Sequence, residues 1–362
     1  MFDIDNYETY EIVNIIALII GLLFGAIAQK NQFCFSGSIK DYILTKSKRR
    51  ISSVIMAMIV AIVATYTVSI YYEIDLLQTI YYKKNINYFS IILGSILFGI
   101  GMTIADGCSS RHLVKLAQGD TKSMITIPFI AIFAYASTKG ILYHTLLKFT
   151  SNEYLINISA NIQNIQLNIY MVIVVLSLLL LISVKKLKRI WYLKDGMFIG
   201  LLIAFSWCIT GVIGEQSIQR DVILSSITFV YPTAQSLELF TYYNTSNLSF
   251  GVSVVLGVVI GAFIMSKFNK KYSFGCTSSF TDKHKVKNNM IGGAMMGIGG
   301  VMAIGCTVGQ GLTGFSTLAF ASMLSIVTIL SAGYLTALYL NKKNELPMCF
   351  IFEWQDEINK KG

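Results

Sequence analysis

Charge is what this chain has least of. Only 13% of its 362 residues are Asp, Glu, Lys or Arg, about half the charged share of an ordinary soluble domain. There are three prolines and three histidines, so neither a Pro-rich linker nor a His-rich metal tract exists. The six cysteines include no C-x-x-C pair, which argues against a closed zinc site. Neither a P-loop nor a dinucleotide fingerprint is present, since GIGG at Gly297 lacks the strand that would precede a cofactor loop. With no ATPase element, energy for any work must come from a gradient, a partner or consumption of a substrate.

What is there is apolar: 54% of the residues are hydrophobic, and no Asp, Glu, Lys or Arg falls between Lys287 and Lys342. Nine runs fit the roughly 17 to 25 residues that cross a bilayer as helix. They cover residues 12–29, 51–72, 88–105, 124–142, 168–184, 196–214, 249–265, 288–305 and 317–340. A further piece, VILSSITFVYPTA from Val222, is too short to cross and reads as re-entrant or interfacial. The expectation is an all-α polytopic membrane protein, one integral domain over residues 1–362, with about nine spans plus re-entrant or half helices.

The net charge of +10 is unevenly placed. Lys and Arg cluster in KSKRR (Lys46 to Arg50), KKLKR (Lys185 to Arg189) and the tract from Lys267 to Lys287. Four spans separate the first pair of clusters and two the second, so all three fall on one side. The positive-inside rule makes that side cytoplasmic and the acidic N-terminus external, with the C-terminus cytoplasmic. Solvated loops explain the clusters without nucleic acid. The first apolar run lacks a basic start and a small-residue cleavage site, so it is expected to stay as a span rather than leave as a signal peptide.

Glycines carry the pattern. Gly21 and Gly25, Gly257 and Gly261, and Gly293 and Gly297 stand four apart, the spacing that lets membrane helices approach closely. A weak repeat joins FGIGMTIADGCSSRHLV, which ends an apolar run at Cys108, to MGIGGVMAIGCTVGQGL, which ends one at Cys306. Upstream of each stands another cysteine after a polar stretch, Cys34 and Cys276. Residues 12–142 and 249–340 are the expected repeat arms, one Gly-Cys element approached from each side. Opposed repeats whose broken helices meet in the membrane form a transporter arrangement.

At Gly107-Cys108-Ser109-Ser110 a helix should break and a short one restart, aiming its free N–H groups and positive dipole end at whatever fills the break. Arg111 and Lys115 share one face of that restart and are expected to add positive potential. Gly305, Thr307, Gln310 and Gly311 around Cys306 offer similar donors without charge. Irregular backbone at membrane depth is tolerated only where protein or a cavity satisfies it, so both breaks are candidate substrate sites. Cys208 and Cys349, in apolar settings, read as small hydrophobes. Cys108 and His112 at helical spacing leave open a metal site or a thiolate activated by histidine.

FCFSGSIKD at Cys34, FGIGMTIADGCSSRHLVKLAQGD through Cys108 and GGAMMGIGGVMAIGCTVGQGLTGFSTLA through Cys306 together resemble the YeeE/YedE family of bacterial inner-membrane sulfur transporters. The resemblance runs from about residue 15 to 340 and is silent over about 143–195. It implies uptake of thiosulfate, not an enzymatic activity, through a pseudo-symmetric hourglass pinched by opposed cysteine-bearing loops. It places the family's three relay cysteines on Cys34, Cys108 and Cys306, gives Cys276 no role, and requires no cofactor. Beside thiosulfate and membrane lipid, it implies a small TusA-type sulfur carrier as partner. A selenium-compound transporter shares every motif, and a membrane sulfurtransferase passing sulfane sulfur through a Cys108 persulfide is the enzymatic alternative. In neutral surroundings the thiols are expected to act protonated, as weak donors to the soft sulfur, while helix N-termini hold the oxygens.

Overall fold

The apolar runs wind into thirteen α-helices among the described residues. The structure is a computed structural model describing residues 9–82, 86–151, 168–184, 193–214, 222–241, 248–272 and 283–346. Cys276, Cys349 and the KKLKR tract lie outside the described residues. The helices are α1 (Thr9–Asn31), α2 (Phe35–Thr45), α3 (Arg49–Tyr71), α4 (Tyr88–Ile104), α5 (Ser109–Ala117) and α6 (Thr121–Thr138). There follow α7 (Tyr143–Thr150), α8 (Ile169–Val184), α9 (Lys194–Cys208), α10 (Val230–Thr241), α11 (Phe250–Phe268), α12 (Lys283–Met302) and α13 (Phe320–Lys342).

Six helical stretches are long and apolar enough to cross a bilayer, namely Thr9–Thr45, Arg49–Tyr71, Tyr88–Ala117, Lys194–Ile213, Phe250–Phe268 and Phe320–Lys342. A seventh arises if α6 and α7, bent by 63° at their junction, form one span. Nine full spans were expected from composition. The run at 168–184 is α8, 16 residues long, and that at 288–305 falls on α12, whose first turns carry Lys283, Lys285, Lys287, Asn288 and Asn289. Large apolar side chains such as Ile15, Ile19, Phe205, Val327 and Leu335 face outward, as a bilayer solvent demands. The chain is a multi-pass membrane protein.

Close backbone packing holds the helices together, because lipid tails give apolar side chains no reason to prefer one another. A Cβ built on Gly21 of α1 would lie 2.2 Å from the Val254 carbonyl oxygen of α11, and one on Gly25 2.2 Å from that of Val258. The rising register makes the pair parallel. Gly196 of α9 meets Ser53 of α3 in the same way, at 2.1 Å. Likewise α12 lies along α6 through Gly293 and Gly297, and α4 lies along α13 through Gly99. At the centre Gly94 and Gly101 of α4 face Ala303 and Gly292, so α4 and α12 run antiparallel. The breaks that follow them therefore start from opposite ends of this central pair.

Lys30 and Asn31 of α1, Arg49 of α3, Lys194 of α9 and Met265 of α11 line one shared cavity. The basic KSKRR cluster, Lys194 and the basic end of α11 thus share one rim. The segment 222–229 has no regular secondary structure and leads into α10 with Ser226, Ile227 and Phe229 buried. Side-chain hydrogen bonds tie it to its neighbours. Thr313 donates its hydroxyl to Ile227 O at 2.6 Å, Thr210 to Ser225 O at 2.7 Å, and Ser226 to Ile203 O at 3.0 Å.

Candidate functional site

Three helices restart on a cysteine, and they do so with one backbone device. Two residues before each cysteine the chain takes a left-handed conformation, at Gln32 (φ 58°), Asp106 (φ 64°) and Ile304 (φ 58°). After α4, Gly107 N donates to Met102 O at 2.9 Å; after α12, Gly305 N donates to Gly300 O at 2.8 Å. These bonds close the ending helix as a Schellman turn does and leave the cysteine extended, ready to cap the next helix. Cys34 Sγ accepts from Gly37 N at 3.2 Å, and Cys306 Sγ from Gly309 N at 3.3 Å. A sulfur that accepts through its lone pair keeps its S–H free to donate.

The expected restart at Cys108 is α5, with Cys108 as its N-cap. The restart after Cys306 is wider and irregular, π-helical over Gly309–Gly314. Cys34, Cys108 and Cys306 are 5%, 1% and 0% exposed. Cys34 and Cys108 lie beside each other, Cys108 Sγ is 3.3 Å from the Ser110 hydroxyl, and Thr307, whose hydroxyl is buried without a hydrogen-bond partner, is a neighbour of Cys108. A Cβ on Gly311 would sit 3.0 Å from the Phe35 ring, beside Cys34. All three breaks, far apart in sequence, therefore converge.

The expected charged partners divide in two. Lys115 donates to the Asp106 carbonyl at 2.6 Å and to its carboxylate at 2.9 Å, and Lys40 of α2 binds the same carboxylate. Lys115 thus clasps its own helix to the break rather than presenting an open charge. Arg111, buried beside Cys34 and Cys108, gives Nη2 to Gln32 Oε1, while its Nη1 is buried without a hydrogen-bond partner. Arg50 joins the group from α3, 3.2 Å from Asp41. Of these six charged side chains four are cationic and two anionic, so the vicinity of Cys34 and Cys108 favours an anion.

Ser109 Oγ is also buried without a partner. Gly107 leaves room for Arg111, whose Cγ would be 3.2 Å from a Cβ there. Gln310 folds back so that its amide N–H caps the Ala303 carbonyl at 2.5 Å, over Gly305; only Gln310 Oε1 stays buried and unpartnered. The amide donor expected of Gln310 is thereby engaged. His112 Nδ1 lies 2.9 Å from Ser123 Oγ, and Ser123 donates to Asp120 at 2.8 Å. The ring nitrogen that is fixed by a partner thus faces Ser123, not Cys108. Among the described residues no cluster of His, Cys, Asp and Glu is placed to hold a metal ion.

Sequence reasoning missed Gln32, Asp106 and Tyr81. Gln32 donates through Nε2 to Gln29 O at 2.7 Å, which points its carbonyl at Arg111. Tyr81 donates its phenol to Gly309 O at 2.9 Å and pins the second break. A signal for the first two was legible, a polar residue two before a cysteine in apolar surroundings. Tyr81, 228 residues from Gly309, left none.

The chain is similar to known proteins over most of its length. The chain is 22% identical over 350 residues to the thiosulfate transporter TsuA of Escherichia coli, covering 89% of this chain and 93% of that protein. It is 23% identical over 345 residues to the thiosulfate transporter TsuA of Spirochaeta thermophila, 90% of this chain and 98% of the other. A shorter match, 22% over 104 residues, joins it to the probable transporter YedE of Escherichia coli, covering 29% of this chain and 24% of that protein. The family described as sulphur transport matches residues 30–335, which include every cysteine-capped break, and the chain belongs to that family.

Proposed function

We propose that the chain imports thiosulfate across a bacterial inner membrane. The observation that carries this reading is the convergence of three cysteine-capped helix starts, two of them beside a buried arginine with an unbonded N–H. Helix N-termini favour anions without adding a full counter-charge, and passage needs sites that attract yet release. Arg111, Ser109 and the backbone amides that open α2 and α5 receive the oxygens. The thiols of Cys34, Cys108 and Cys306 donate to the terminal sulfur in turn, with Ser110 and Thr307 tuning Cys108. Gly107, Gly305, Gln310 and Gly311 shape the breaks, and Lys115 holds one of them closed.

The reciprocal helix pairs extend the proposed repeat. As α1 lies on α11, α9 lies on α3; as α4 lies on α13, α12 lies on α6. A second arm that begins near residue 194 accounts for all four pairs. Burial of all three thiols weighs against a persulfide handed to a soluble protein, which needs direct contact. A TusA-type carrier then takes the released substrate on the cytoplasmic side, where the basic rim lies, with the N-terminus outside and the C-terminus cytoplasmic.

The test is uptake of radiolabelled thiosulfate into cells that lack other importers. Cys108→Ala and Cys306→Ala are expected to lower it at least tenfold at unchanged protein level. Uptake at the wild-type rate by both variants would overturn the reading. Excess selenium oxyanion that fails to compete assigns the path to sulfur.

A further inference from the structure

The cavity on the basic rim is lined by none of the three cysteines. It measures about 470 Å³ and lies where α1, α3, α9 and α11 meet. Three cations line it, Lys30, Arg49 and Lys194, with Asn31 and the single carboxylate of Asp195. Leu23, Ala26, Ile27, Phe198 and Met265 form the rest of its wall. A polar solute alone would not need that apolar half.

The apolar wall continues away from the cations. On α1, Ile15, Ile19 and Leu23 recur every fourth residue and all face outward at 50%, 50% and 44% exposure, one stripe of a helix. On α9, Phe198, Leu201 and Phe205 form a second outward stripe. Both stripes begin at the cavity and run toward the other end of their helices. Charge is thus gathered at one end of the groove and apolar surface extends from it by about 1.5 Å per residue. A ligand that fits has an anionic head and a long apolar tail.

We propose that this cavity is a binding site for an anionic phospholipid, its phosphate held by Lys30, Arg49 and Lys194 and its acyl chain laid along the α1 and α9 stripes. Lysines near a membrane end extend their charge to the headgroup level, and basic pockets between spans bind lipid heads. The site bridges the α1–α11 pair to the α3–α9 pair, and Lys30 stands four residues before Cys34. An occupied site therefore ties together the two parallel pairs at the end where the first cysteine break begins. This inference does not depend on the transported substrate.

The experiment is intact-complex mass spectrometry on the full chain released from nanodiscs, with dissociation constants read by titration. Phosphatidylglycerol is expected to be retained and phosphatidylcholine not. Lys30→Gln and Lys194→Gln should each weaken phosphatidylglycerol about fivefold, the effect of one surface charge on an anionic lipid, and the double variant more. Thermal unfolding of the wild type should shift up with phosphatidylglycerol and lose that shift in the double variant. Equal retention of the two lipids, or unchanged binding by the double variant in properly eluting protein, would overturn the proposal. Protection by glycerol phosphate alone at the same concentration would also overturn it, assigning the cavity to a free anion.

Discussion

Gln32 holds Arg111 with a neutral amide, which leaves the guanidinium its charge and one N–H for a ligand. Gln32→Glu keeps the shape and supplies an internal counter-ion. We expect this variant to raise the KM for thiosulfate about tenfold, the 1.4 kcal/mol of a charge-assisted hydrogen bond, while saturated uptake stays near wild type. Loss of saturated uptake with KM unchanged would make Gln32 merely structural, and absence of uptake by the wild type would instead remove the function. Asp106 is the opposite case, a carboxylate answering two buried lysines. Asp106→Asn removes the negative charge those two cations share, and breaking a buried ion pair costs about 3–5 kcal/mol. A markedly lower thermal midpoint checks this, and an unchanged one refutes it. Cys34, Cys108 and Cys306 were legible because each stands in a polar break. Gln32 carried a polar mark two residues before Cys34, but its role did not show, because that role depends on Arg111, 79 residues away.

At the scale of elements, short glycine-mediated contacts decide the packing. A methyl at Gly21 would lie 2.2 Å from the Val254 carbonyl oxygen, and backbone cannot give way as a side-chain tip can. Gly21→Ala should push α1 from α11 and cost about 1–3 kcal/mol, read as a lower thermal midpoint and a broadened size-exclusion peak. Ile15→Val, on the lipid face of the same helix, should change the midpoint by less than about 0.5 kcal/mol equivalent. The four-residue glycine spacing announced these contacts in the sequence. It did not announce the partner, since α1 and α11 are more than two hundred residues apart. For a related reason, among the described residues six or seven of the nine expected spans are long and apolar enough to cross a bilayer. Hydropathy measures apolar length, and α8 is too short while α12 begins polar.

At the scale of the whole molecule, charge is sorted by face. Lys46 and Lys270 are exposed near the ends of α2 and α11, and Leu77 follows the far end of α3. Helix α3 spans 23 residues, about 34 Å at 1.5 Å per residue. Single replacements Lys46→Cys and Lys270→Cys are expected to react with an impermeant maleimide from the cytoplasmic side, and Leu77→Cys from the outside. Labelling of Lys46→Cys and Lys270→Cys from different sides would overturn the shared rim. The sequence by itself determined the membrane class, the breaks and their cysteines, because a nonpolar solvent imposes continuous apolar length and makes every interruption conspicuous. Only the tertiary structure decided that the breaks meet, that Lys115 is engaged by Asp106, and that Arg111 keeps an unbonded N–H. The meeting of the breaks and the hold of Gln32 on Arg111, 79 residues away, depend on which distant backbones touch, and local pattern holds no record of such contacts.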